Sequence, residues 1–265
     1  MKTIFLKELK LGRRTLIICS ALMLLAAAFG AVEFVSLQDS MDVIATTVAD
    51  IPRIVRIMFG VDALPLNTDL GGYACMYYWF CLITFPFATW LGVHTITKEE
   101  RFKTGEFLYT KPYTRSTVIL SKMLAALVSI LVLTLTACIG SVAFILPLFG
   151  GMALLPQVII TSAGMLFTQL IFLVVGMQCA ALFKSNKTAS RTAFIVLIFS
   201  YLVAFIIEYS ETVDFLGFLS PVWYFNGPMV AQNGISLLYL LLAMAVVSMA
   251  AYFTVAFYRK RDLYT

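Results

Sequence analysis

Few side chains in this sequence could do chemistry, and their spacing argues against most of it. His94 is the only histidine, and two adjacent carboxylates, Glu99 and Glu100, follow it closely. Paired glutamates serve metal-assisted hydrolysis only when further histidines complete the ligand set. No HExxH or GxSxG pattern occurs, so a membrane-embedded peptidase lacks both its metal ligands and its nucleophile. Cys19, Cys75, Cys81, Cys138 and Cys179 are scattered through apolar segments without a CxxC pair, which reads as small apolar packing rather than a metal or disulfide framework. No GxxxxGK[ST] loop is present to cradle a nucleotide's phosphates. The chain therefore carries no catalytic, cofactor-binding or metal-binding residue of its own that spacing can nominate.

The elements that hold these residues explain why. Hydrophobic residues make up 61% of the 265 positions and charged residues 12%, against about 45–50% and 25% in soluble domains. Mean hydropathy is +0.94. That much apolar surface cannot be hidden in a core of this size, so lipid must be part of the solvent. A backbone in hydrocarbon must satisfy its own hydrogen bonds, which favours helices of about 20 apolar residues. Six such stretches occur, at about 15–37, 72–96, 118–146, 154–183, 192–207 and 235–258. The expected fold is all-α: a polytopic membrane protein forming one transmembrane domain over residues 1–265. The net charge of +5 does not point to nucleic acid, because the basic residues flank apolar blocks instead of sharing one water-facing surface.

Those basic residues also set the expected orientation. Lysine and arginine near span ends are retained in the cytoplasm. The N-terminus, the second and fourth loops and the C-terminus hold 17 of the 19, and the other three loops hold only Arg53 and Arg56. Asp39, Asp42, Asp50, Asp62, Asp69, Glu208, Glu211 and Asp214 fall on the opposite side. Both termini are thus expected in the cytoplasm of a multi-pass cell-membrane protein. A signal-peptide reading of the first span is disfavoured by its long apolar run and the lack of a clear cleavage motif. Glu33 and His94, the ionisable residues within spans, sit near span ends where a polar tip reaches water or the interface.

Three segments are not simple spans. Residues 1–14 place Lys7, Lys10 and Arg14 on one stripe with Ile4, Phe5, Leu9 and Leu11 mostly opposite, as in an interfacial helix or a basic flank that fixes topology. The first outer loop contains apolar-rich residues 48–59, and Pro52 and Gly60 suggest a short surface helix. Residues 215–225, broken by Gly217 and Pro221, suggest an outer re-entrant hairpin before the last span.

The charged segment at 97–117 is the most informative water-exposed piece. Glu99 and Lys103 form an i,i+4 pair that can extend the second span, Gly105 permits a break, residues 106–109 can form a short helix, and Pro112 ends it. Thr114 is a suitable N-cap for the third span. The result is a charged elbow suited to docking a cytoplasmic protein, or simply a solvated cationic loop.

Here the chain resembles the permease subunits of export-type ABC transporters, the type-2 permease family. The matching residues are Glu99, Glu100 and Arg101, then Gly105 and Glu106 followed by Phe107 and Leu108, then Pro112, Arg115 and Lys122 leading into a span. The six spans, the interfacial N-terminal segment and the outer hairpin extend the resemblance over essentially the whole length. It implies that Glu99, Glu100, Arg101, Lys103, Gly105, Glu106, Phe107 and Leu108 form a coupling helix that docks on a separate ABC ATPase subunit. ATP and Mg would be bound by that partner. It also implies pairing with a second permease copy or a homologous permease, and a substrate path along the second and fifth spans with Tyr77, Phe80 and Phe85 as candidate lining residues. Acid-free span interiors fit an amphipathic or hydrophobic cargo better than a bare cation. They also speak against an ion-coupled secondary transporter, which generally needs carboxylates near the bilayer midplane.

Overall fold

The computed structural model describes residues 2–101, 114–183, 185–210 and 212–260, and those residues are helical with no strand among them. Helix α1 spans Lys2–Leu37, α2 Met41–Ala49, α3 Arg53–Phe59, α4 Asp69–Arg101 and α5 Arg115–Gly140. After them come α6 at Leu155–Leu182, α7 at Asn186–Ser210, α8 at Pro221–Tyr224, α9 at Gly227–Asn233 and α10 at Leu237–Lys260. Six helices are long and apolar enough to cross a membrane: α1, α4, α5, α6, α7 and α10. Because they alternate in direction, the start of α1, the end of α4, the start of α5, the end of α6, the start of α7 and the end of α10 share one end of the bundle, here called the terminal end. The α2–α3 segment lies at the other, distal end.

Helix α1 runs without a break through Gly12, so the expected interfacial segment is the first part of one 36-residue helix. At about 54 Å it exceeds the roughly 30 Å hydrocarbon layer and must project from it or tilt strongly. The fifth apolar stretch, read as residues 192–207, is part of a helix of 25 residues. Hydropathy alone stopped at Arg191, whereas the backbone continues through that polar turn to Asn186, whose Oδ1 accepts a bond from Thr97 of α4 at 3.0 Å. In the distal loop the single short helix expected over 48–59 is divided at Pro52, which has no N–H to continue α2 and stands just ahead of α3. Gly60 closes α3 in a left-handed conformation (φ +69°).

Helices α4 and α6 form the centre of the bundle. A Cβ on Gly92 would lie 2.2 Å from the Leu173 carbonyl oxygen, and one on Gly176 would lie 2.5 Å from that of Thr89. The two backbones touch because neither position has a side chain, the usual device for close helix association where lipid supplies no hydrophobic drive. Around this crossing pack Phe80, Phe85, Ala88, Phe172, Met177 and Ala180, all buried. Helix α1 lies on α5 through Met23 and Ala27, and Gly140 of α5 approaches Ala27. The outward faces of α1, α7 and α10 are rich in exposed Leu, Ile and Phe, as lipid-facing helices should be.

Between α7 and α10 the chain folds back along α7. Ser220 caps α8 by accepting from the Trp223 N–H, and its hydroxyl donates to the Ser200 carbonyl at 2.7 Å. The Val222 N–H donates to the Ser200 hydroxyl at 3.3 Å. Ser200 lies ten residues before the end of α7, about 15 Å along its axis.

Candidate functional site

Helix α4 carries both candidate sites. At the terminal end, its 33 residues extend through Arg101, about 50 Å in all, so the helix outruns the hydrocarbon layer. Glu99, Glu100 and Arg101 therefore occupy the last turn of a helix continuous with the second span. Lys103, Gly105, Glu106, Phe107 and Leu108 lie outside the described residues. The chain resumes where Thr114 accepts from the Thr117 N–H and caps α5.

The base of α4 is pinned from two sides. Lys98 forms an ion pair with Glu8 of α1. Lys122 of α5, fully buried, donates from Nζ to the Thr95 carbonyl at 3.0 Å. Buried lysines are rare without partners, and here the partners cross-link α1, α4 and α5 directly beneath the candidate elbow. Spacing did not reveal Glu8; the only hint was a lone carboxylate within a basic segment.

Toward the distal half, α4 and α7 border a cavity of about 300 Å³ whose wall is mainly apolar and includes six aromatic residues. Tyr77 and Phe85 line it, together with Tyr201 and Phe205 of α7 and Phe225 and Asn226 of the returning segment. Tyr77 is held by its hydroxyl, which donates to the Thr161 carbonyl at 3.2 Å, so the ring rather than the polar tip forms the wall. A Cβ on Gly227 would fall 2.3 Å from the Tyr77 ring, so only glycine lets the returning segment close against it. Phe85 lies 6.2 Å from Tyr201 and 5.8 Å from Phe172, centroid to centroid, and the Tyr201 hydroxyl donates to the Cys81 carbonyl at 3.1 Å. Phe80 does not line this space: it is buried in the core.

Glu208 and α3 residues Ile57 and Met58 line the distal part of the cavity. Arg53 and Arg56 secure α3 there. Both guanidiniums bond the same carboxylate, Asp62, at 3.1 and 2.8 Å, and Arg53 also donates to the Glu208 carbonyl at 3.0 Å. The cavity is preformed and apolar, with aromatic rings in its wall and one carboxylate near its edge, the usual character of a small-molecule pocket.

This bundle of six long apolar helices is matched almost end to end by the family profile described as ABC-2 family transporter protein, over residues 3–263. The chain belongs to the ABC-2 transporter family. No curated protein shows significant similarity to it. As an ABC-2 family member it is a multi-pass membrane permease, a transport subunit of the type served by an ATPase partner. Of the residues that sequence nominated for the substrate path, two of three face one cavity of this permease. Tyr201 and Glu208 of α7, the fifth span that the resemblance also assigned to the path, and Phe225 of the segment after it line the same cavity. No residue of α7 was singled out from the sequence because its apolar run carries no signal of which face turns inward.

Proposed function

We propose that this ABC-2 family chain is the membrane-spanning permease subunit of an ATP-driven exporter, paired with itself or a related permease. A separate ATPase subunit binds ATP and Mg and docks on residues 97–117, where Glu99, Glu100, Arg101, Lys103, Gly105, Glu106, Phe107 and Leu108 form the coupling elbow. The termini lie in the cytoplasm of the cell membrane, in line with the 17 basic residues on that side. The segment over 215–225 is an outer re-entrant hairpin, a reading supported by the Ser220–Ser200 bond well below the end of α7.

The single observation that carries the reading is the aromatic cavity between α4 and α7 in a chain of this family. Its acid-free depth and apolar walls favour an amphipathic or hydrophobic cargo. ATP-driven closure of the two ATPase subunits moves the elbows, and α4, continuous from its base at Lys98 to the cavity residues, transmits that motion to the cavity.

Affinity-tagged protein from native membranes tests this. It should co-purify with an ATPase, and replacing Glu99, Glu100 and Glu106 with glutamine should uncouple ATP hydrolysis from cargo movement in reconstituted vesicles. Intact ATPase binding and transport in that triple variant would rule out the docking assignment.

A further inference from the structure

A second cavity, of about 430 Å³, lies between α1, α4 and α5 at the terminal end of the bundle, away from the aromatic site. Its size falls within the range of about 300–1,000 Å³ typical of small-molecule pockets. Its lining is graded along the helix axes. Lys7, Lys98 and Lys122 line the outer level with Glu8, which is paired with Lys98, so that level stays net positive; Trp90 lies eight residues from Lys98 on α4, about 12 Å deeper. Leu91, Ala125 and Ala126 give the deeper walls their apolar character. Between the two levels His94 stacks on Trp90 with ring centroids 4.8 Å apart. Leu11 lines the cavity and is also exposed on the flank of α1, so the space opens at the side of that helix.

The lysines are held in place. Lys122 donates to the Thr95 carbonyl and Lys98 engages Glu8, so neither swings out to water as a snorkelling lysine would. A water-soluble anion would match this charged level and leave the apolar wall unused. A zwitterionic or neutral lipid would match the wall and gain little from the lysines. Basic pockets between transmembrane helices at the cytoplasmic face are the setting in which anionic headgroups are recognised.

We propose that this cavity is a binding site for an anionic phospholipid, its phosphate at the level of Lys7, Lys98 and Lys122 and its acyl chains leaving past Leu11. The inference rests on the orientation proposed above only for which leaflet supplies the lipid. It needs no ATPase, so its test and the transport test fail independently.

Trp90 provides the readout. The chain has three tryptophans. With Trp79→Phe and Trp223→Phe in place, the protein is reconstituted into phosphatidylcholine vesicles doped with either brominated phosphatidylglycerol or brominated phosphatidylcholine. Trp90 should be quenched preferentially by the brominated anionic lipid. Lys7 is exposed at the rim, so Lys7→Gln leaves folding intact and should weaken that preference by about fivefold, the contribution of one basic residue. Arg13→Gln, exposed on the same helix but outside the cavity, should leave it unchanged. Equal quenching by both lipids, a preference that survives Lys7→Gln, or the same loss in Arg13→Gln would each overturn the proposal. Relief of the quenching by millimolar inorganic phosphate would do so too, by showing a site for free phosphate rather than lipid.

Discussion

Glu8 of α1 and Lys98 of α4 form an ion pair with both side chains about nine-tenths hidden. The pair joins the first helix to the base of the helix that leads into the candidate coupling segment. Glu8→Gln leaves a buried ammonium without its carboxylate and should cost about 3 kcal/mol. Adding Lys98→Met should restore much of this, because the double variant removes both members of the pair. Thermal unfolding in detergent of both single variants and the double variant checks the point; a double variant no better than Glu8→Gln would show that the pair does not act as a unit.

The contact of α4 with α6 depends on two glycines. Gly92→Ala and Gly176→Ala each place a methyl group against a backbone carbonyl, which cannot rotate away as a side chain can. Each should destabilise by about 1–3 kcal/mol. Both force apart the same two helices, so the double variant should lose less than the sum. Size-exclusion profiles and melting curves report this directly, and wild-type stability in either single variant would contradict the close crossing.

Ala204 lines the aromatic cavity from α7 and is nearly buried. Ala204→Phe fills space that the cargo would occupy while leaving the candidate docking surface untouched. Loss of side-chain-sized room in an apolar pocket discriminates by about 10- to 200-fold. Transport and cargo-stimulated ATPase activity should therefore fall within that range while basal ATPase activity and co-purification persist. Unchanged transport would remove this cavity from the path.

At the distal end, Asp62 accepts from both Arg53 and Arg56 with its own side chain largely buried. Asp62→Asn keeps the shape but removes the charge-assisted part of both contacts, about 1.5–3 kcal/mol for such hydrogen bonds. The loss should be local. Hydrogen exchange in α3 should quicken while α4 and α6 keep their protection, and a uniform change across the bundle would contradict a local clasp.

The same clasp shows where sequence reading was strong and where it stopped. Basic-residue bias separated the loops, and Arg53 and Arg56 stood out only as the two exceptions. Their pairing with Asp62 explains how two cations sit among acidic loops, but a shared partner six and nine residues away is not a periodic signal. The apolar runs revealed the spans because lipid imposes a length, yet they missed that α7 begins at Asn186, where a polar turn is satisfied by Thr97. Tyr77 and Phe85 share a cavity while Phe80 does not. Aromatic residues look alike in a sequence, and which of them meet α7 depends on how α4 is seated on α6, where Phe85 also packs on Phe172. Glycines in apolar helices are common, so only the three-dimensional contact distinguishes Gly92 and Gly176 from the rest.

Gln169 sits in the middle of α6, fully buried, and its Nε2 donates to the Thr134 hydroxyl of α5 at 2.9 Å. Its Oε1 has no hydrogen-bond partner among the described residues. An interhelical hydrogen bond in a membrane protein contributes about 0.6 kcal/mol on average, and an unsatisfied buried acceptor costs about 1–3 kcal/mol. On that balance Gln169→Leu, close in volume and without polar atoms, should be neutral or stabilising in a detergent melt. Gln169→Ala should be clearly destabilising, because it leaves a void as well. If Gln169→Leu instead lowered stability as much as Gln169→Ala, Oε1 would have to be engaged in the assembled permease, by water or by a group outside the described residues, and the acid-free interior of the bundle would hold a working polar contact at its centre.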